Sequence, residues 1–87
     1  MKITKQHREC FKEALKHLPT DYFICHAIRV TKASEQIQKE CIKILYHYFQ
    51  DDPSRHAFWL QVEDNLSSEE AFTCRLIALY TLIYAPL

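Results

Sequence analysis

The residues of this 87-residue chain best suited to chemistry are five histidines and four cysteines. They are His7, His17, His26, His47 and His56, beside Cys10, Cys25, Cys41 and Cys74. Their only close combinations are His7-x-x-Cys10 and the adjacent Cys25-His26. A zinc centre needs paired ligands at short spacing, as in two C-x-x-C pairs or an H-E-x-x-H helix, and neither pattern occurs. His7 and Cys10 do share a helical face, which makes two ligands geometrically compatible. The simpler expectation is small apolar thiols in the core and imidazoles that are hydrogen-bonded or exposed. No metal and no cofactor are expected.

Nucleophilic catalysis requires a nucleophile, a base within reach and a group that orients the base. Cys25 is the one thiol that invites this reading, through a distant histidine. Burial beside Phe23 and Ile24 would raise its pKa and leave it inert. The carboxylate pairs Asp51-Asp52 and Glu69-Glu70 fall at helix starts, where unsatisfied amides stabilise negative charge. Their structural role accounts for them, and the chain is read as non-enzymatic.

Lys5, Arg8, Lys12 and Lys16 project as a narrow stripe on the first helix. Such a stripe can hold phosphates, but phosphate contacts position a nucleic acid without reading it. A solvated helix face is the plainer reading. A helix-turn-helix register is also available, with 34–49 as recognition helix and Lys32, Gln36, Lys39 and Lys43 facing outward. Nucleic-acid binding through these faces is the alternative function.

Arg75 projects between Ala71, Leu79 and Leu82, in the centre of an apolar face. A guanidinium there must be paired or must reach solvent along its stem. Glu63, Asp64 and Asp21 are candidate partners for an internal clamp, and a bound protein is the other option. Aromatics are in surplus. Phe58 and Trp59 point to different sides of a short helix, Tyr46 edges its apolar stripe, and Tyr80 and Tyr84 lie off the main face of theirs. Tyrosine and tryptophan at the margin of burial are common interface anchors. For Trp59 and Arg75, core and interface both stay open.

The elements that must position these residues follow from periodicity. Glycine is absent, where average usage predicts about six. Dinucleotide fingerprints, phosphate loops, EF-hand loops and the serine elbow of hydrolases are excluded with it. So are tight Asn-Gly hairpins, which lowers the prospect of an all-β fold. The spacing predicts an all-α fold, a compact single-domain bundle of about five helices over 5–18, 22–29, 35–49, 53–63 and 68–84. Cys10, Phe11, Ala14, Leu15 and Leu18 give the first its apolar face, and Pro19 stops it. His7 projects into that same arc.

Thr20-Asp21 offers an N-cap to the second helix, whose alternation Ile24, His26, Ile28, Val30 also fits a strand. Ser34 opens the third helix, with a core stripe of Ile37, Cys41, Ile44, Leu45 and Tyr48, and with Glu35 paired to Lys39. Asp52-Pro53 opens the fourth. Ser67 and Glu70 form a capping box for the last, which is apolar nearly all round. A helix of that kind is either central to the bundle or shared with a partner.

Net charge is zero but segregated. Residues 1–20 carry +3 from Lys2, Lys5, Arg8, Lys12 and Lys16 against Glu9 and Glu13. Residues 51–70 carry −5 from Asp51, Asp52, Glu63, Asp64, Glu69 and Glu70 against Arg55. A neutral total argues against indiscriminate nucleic-acid binding. An acidic segment can still mimic phosphate. The first ten residues lack an apolar signal core, and no run reaches the length of a membrane span. A cytoplasmic protein with reduced thiols is expected.

The stretch Asp21-Tyr22-Phe23-Ile24-Cys25-His26-Ala27-Ile28, then Phe58-Trp59-Leu60, then Arg75-Leu76-Ile77-Ala78-Leu79 with Leu82-Ile83 resembles a loose group of small bacteriophage and prophage proteins. The likeness spans roughly residues 11–83, and its first and last stretches are the specific ones. It implies a helical fold and makes Cys25, Ala27, Trp59 and Arg75 framework positions. Small phage proteins of this size often bind a host protein, including components of host defence. The expected function is thus a protein-interaction module that inhibits or redirects a host protein by steric occlusion in the host cytoplasm. The candidate contact residues are Tyr46, Trp59, Glu63, Asp64, Glu69, Glu70, Tyr80 and Tyr84. Homodimerisation through the last helix is a further option.

Overall fold

A computed structural model describes residues 2–18, 24–54, 56, 57 and 68–84, with the backbone alone for 68–72 and 74. The described residues are helical and include no strand. Four helices run Lys5–His17 (α1), Ile24–Arg29 (α2), Glu35–Gln50 (α3) and Ser68–Tyr84 (α4). Pro53, Ser54, His56 and Ala57 are also helical. The fold is all-α, and the strand reading of 24–30 gives way to a helix. Asp52 opens the turn at 53 as expected. Its Oδ1 accepts from the Ser54 amide at 2.9 Å, and its carbonyl accepts from the His56 amide at 2.8 Å. The rest of the expected 53–63 helix, the Thr20-Asp21 cap, Pro19 and Ser67 lie outside the described residues.

α1 is the hub. It packs on α2, α3 and α4, whereas α4 packs chiefly on α1. Among the described residues the central helix is α1 and not the last one. The reason is the width of the apolar arc of α1, where His7, Cys10, Phe11 and Ala14 are all buried. Phe11, Ala14, Ala27, Ile28, Cys41, Leu45, Ala78, Leu79 and Leu82 have no exposed surface and form the centre of the core. Leu15, Ile37, Ile42, Tyr48 and Leu76 close over it.

Helix starts use side-chain oxygens. Ser34 caps α3 by accepting from the Ile37 amide at 3.3 Å. Thr4 caps α1 in a box that the sequence reading missed. Its Oγ1 accepts from the His7 amide at 3.4 Å, and its own amide donates to His7 Nδ1 at 3.0 Å. The third helical position usually carries Glu or Gln in such a box, and histidine hides the signal.

The turn between α2 and α3 has neither glycine nor proline, and side chains hold it instead. Gln38 Nε2 donates to the carbonyls of Thr31 and Ala33, each at 3.0 Å. Thr31 is itself buried and donates to the Ile28 carbonyl at 2.7 Å. The Lys32 amide donates to Glu13 Oε2 at 2.6 Å, which ties the turn to α1. Among the described residues no backbone has a positive φ and no peptide is cis.

Candidate functional site

The last helix buries one side and exposes another. Ala78, Leu79, Leu82 and Ile83 face the core, and so Ala78 belongs to it. Ile77 is 50% exposed, Tyr80 48% and Tyr84 65%. Their spacing of three and four places them along one stripe of α4. Single exposed apolar residues are ordinary, but a contiguous row of three large ones is a patch. Tyr80 and Tyr84 stack with ring centroids 5.8 Å apart and planes within 19°. Stacking fixes their rotamers before any contact is made, which lowers the entropic cost of using them as anchors.

The C-terminal end of this patch is held by α1. Lys12 Nζ sits 5.9 Å from the centre of the Tyr84 ring, within the range of a cation–π contact. Arg8 Nη1 donates to the carbonyl oxygen of Ile83 and, at 3.4 Å, to that of Leu82. Both carbonyls belong to the last turn of α4, where backbone acceptors have no partner within the helix. The cation also sits at the negative end of the helix dipole. The stripe expected to be a solvated face is therefore half used inside the molecule, because its two central residues meet α4. Sequence reasoning missed this contact. The signal was a cation one turn into α1, but its acceptors are 74 and 75 residues away.

The other nucleic-acid candidates are placed as follows. Lys39 pairs with Glu35 at 3.3 Å, and Gln36 Nε2 donates to Glu40 Oε2 at 2.7 Å. Lys32 and Lys43 are exposed. Tyr46 is exposed on α3. Ala27 is fully buried. Cys25 is only half-buried, which corrects its expected burial, because α2 turns Ile24, Ala27 and Ile28 inward instead. Arg75 is half-buried in α4. Trp59, Glu63, Asp64 and Asp21 lie outside the described residues. Glu69 and Glu70 are in the first turn of α4, with their backbone alone described.

A second polar assembly joins α1 to α3. His7 is buried, and its Nδ1 accepts from the Thr4 amide, so its Nε2 carries the proton. Nε2 then donates to Glu40 Oε1 at 2.7 Å. Glu40 is held below the usual carboxylate value by the bond from Gln36 first, with the bond from His7 next. Beside it Cys10 Sγ lies 3.6 Å from Thr31 Oγ1, and the Cys41 thiol donates to the His7 carbonyl at 3.7 Å. Cys10 also lines a groove of about 360 Å³ between α1 and the start of α3, with Gln6, Glu9, Glu13, Lys32 and Ile37. No group of three or more His, Cys, Asp or Glu among the described residues is placed to hold a metal. No helix among them is long and apolar enough to cross a membrane.

No family model, curated protein or solved structure matches the chain.

Proposed function

We propose that this chain is a protein-interaction module whose contact face is the exposed stripe Ile77, Tyr80 and Tyr84. The observation that carries the reading is the stacked, exposed Tyr80–Tyr84 pair. Its rings are large, amphipathic and already ordered, the properties of residues that dominate protein interfaces. Lys12 beside Tyr84 adds a positive rim, suited to a partner with acidic residues around an apolar pocket. The resemblance to small phage proteins makes a host protein the partner class, a host-defence component being its narrower version. Inhibition would then be steric, by covering a surface that the partner uses elsewhere.

A photo-crosslinking residue at position 80, in cells producing the full chain, tests this directly. A discrete adduct is expected, absent when Tyr84→Ala is combined with the probe. The partner it names should bind the purified wild-type protein and not the Tyr80→Ala/Tyr84→Ala variant. An adduct of two copies of this chain would replace the host partner with a homodimer. No adduct, or one indifferent to Tyr84, refutes the reading.

A further inference from the structure

The exposed stripe of α4 meets a row of lysines on α1. Lys5, Lys12 and Lys16 are all exposed. At about 100° per residue they fall on one narrow line, which runs for ~16 Å along the helix. Among the described residues none of the three takes part in an ion pair. Arg8, at the edge of the row, is taken up by the Ile83 carbonyl. Lys12 Nζ lies 5.9 Å from the centre of the Tyr84 ring, so the lysine row and the Ile77–Tyr80–Tyr84 stripe share a corner.

The needs of the helix do not account for this row. A cation is favourable at the C-terminal end of a helix and unfavourable at the N-terminal end. Lys16 stands in the last turn of α1, but Lys5 stands in the first, which holds no acid. Lys12 and Lys16 are one turn apart, where like charges repel. The acids of α1 lie on the far flank of the row, where Glu9 and Glu13 line a groove toward α3. Glu13 Oε2 is occupied there by the Lys32 amide at 2.6 Å and lies 3.9 Å from His17 Nε2.

Resting on the contact face proposed above, we infer that its occupant is an acidic segment of another protein, with its large apolar side chains and its carboxylates in separate blocks. The apolar block covers Ile77, Tyr80 and Tyr84, and the carboxylates lie along Lys5, Lys12 and Lys16. The blocks are separate because the two arms of the face belong to different helices and meet at Lys12 and Tyr84. Rim charges govern encounter and specificity more than affinity, so the tyrosines anchor the segment and the lysines select it. A nucleic acid fits less well. Tyr80 and Tyr84 each give a ring face to the other, Ile77 offers no face to a base, and the net charge of the chain is zero.

The test selects peptides from a displayed random library on the full wild-type chain, on Lys5→Glu/Lys16→Glu and on Tyr80→Ala/Tyr84→Ala. The wild type should enrich peptides that carry a Leu, Phe or Trp block beside a block of Asp and Glu. Lys5→Glu/Lys16→Glu should keep the apolar block and lose the acidic one, and Tyr80→Ala/Tyr84→Ala should recover neither. The best wild-type peptide, measured by fluorescence anisotropy, should bind Lys5→Glu/Lys16→Glu about tenfold more weakly and weaken with added salt. An unchanged circular dichroism melt of that variant would assign the loss to the surface. Tyrosine-dependent peptides without an excess of acid would overturn the acidic class and leave the contact face standing. A selection with no tyrosine-dependent peptide would refute the face itself. A labelled oligothymidylate or a phosphatidylserine vesicle that binds through the same lysines more tightly than the best peptide would overturn the protein segment in favour of nucleic acid or lipid.

Discussion

Arg8 donates to the carbonyl oxygen of Ile83, joining the second turn of α1 to the last turn of α4. The bond satisfies an acceptor that the helix itself leaves open. A charged donor to a half-buried acceptor contributes about 1.5–3 kcal/mol, and partial exposure of Arg8 places it at the lower end. Arg8→Ala is expected to lower stability by about 1–2 kcal/mol in urea unfolding followed by circular dichroism. Arg8→Lys should recover part of that loss, since the charge stays near the helix end while the forked geometry is lost. An Arg8→Ala midpoint equal to the wild type would show that the contact contributes nothing in solution.

Glu40 gives the fold a limb in its acid titration. Its carboxyl lies below the usual 4.5 because Gln36, then His7, donate to it. A depressed folded pKa means that the stabilisation is present above the unfolded value and is lost as pH falls through the folded one. Stability is therefore expected to decline as pH drops below 4.5, and Glu40→Gln should make that decline shallower. Urea midpoints of both proteins between neutral pH and about pH 3 provide the comparison. Identical slopes would remove Glu40 from the acid response.

Phe11 sits with no exposed surface on the helix that all others touch. Phe11→Ala removes a ring from the hub and leaves a cavity, at a cost of about 3–5 kcal/mol. Small domains have about 5–15 kcal/mol in total. The variant should melt well below the wild type and show reduced cooperativity. A shift comparable to that of a surface substitution would mean that the core re-forms around other side chains.

Tyr80 and Tyr84 separate a binding role from a structural one. Both are exposed, so Tyr80→Ala/Tyr84→Ala is expected to change stability by no more than about 1 kcal/mol, mostly through the stack and the Lys12 contact. Its loss of partner capture should be complete by comparison. A large fall in melting temperature would instead mark the pair as part of the fold.

How legible these features are in the sequence depends on distance along the chain. The boundaries of α1, α3 and α4 follow from apolar periodicity and from Ser34, and they agree with the structure to within a residue or two. The inward direction of His7 also follows from its angle on the helix. Its partner Glu40 does not, because |i−j| is 33 and nothing local selects one carboxylate among many. The same holds for Arg8 and the carbonyls of α4, since backbone acceptors carry no sequence signature. Thr31 and Gln38, which hold the glycine-free turn, are polar residues in a loop and look unremarkable until their bonds are seen. The exposed α4 stripe was half legible. Helical spacing already puts Tyr80 and Tyr84 off the main face, but only packing on α1 shows that Ile77 joins them on the exposed side.

The all-negative φ angles of the described backbone bear on how this chain can change over generations. A position that demands glycine forbids every other residue, and none of the described positions makes that demand. Loop residues are then interchangeable as far as backbone torsion is concerned. Selection on such a scaffold acts through side-chain volume in the core and a few polar pairs. Its surface is free to diverge quickly.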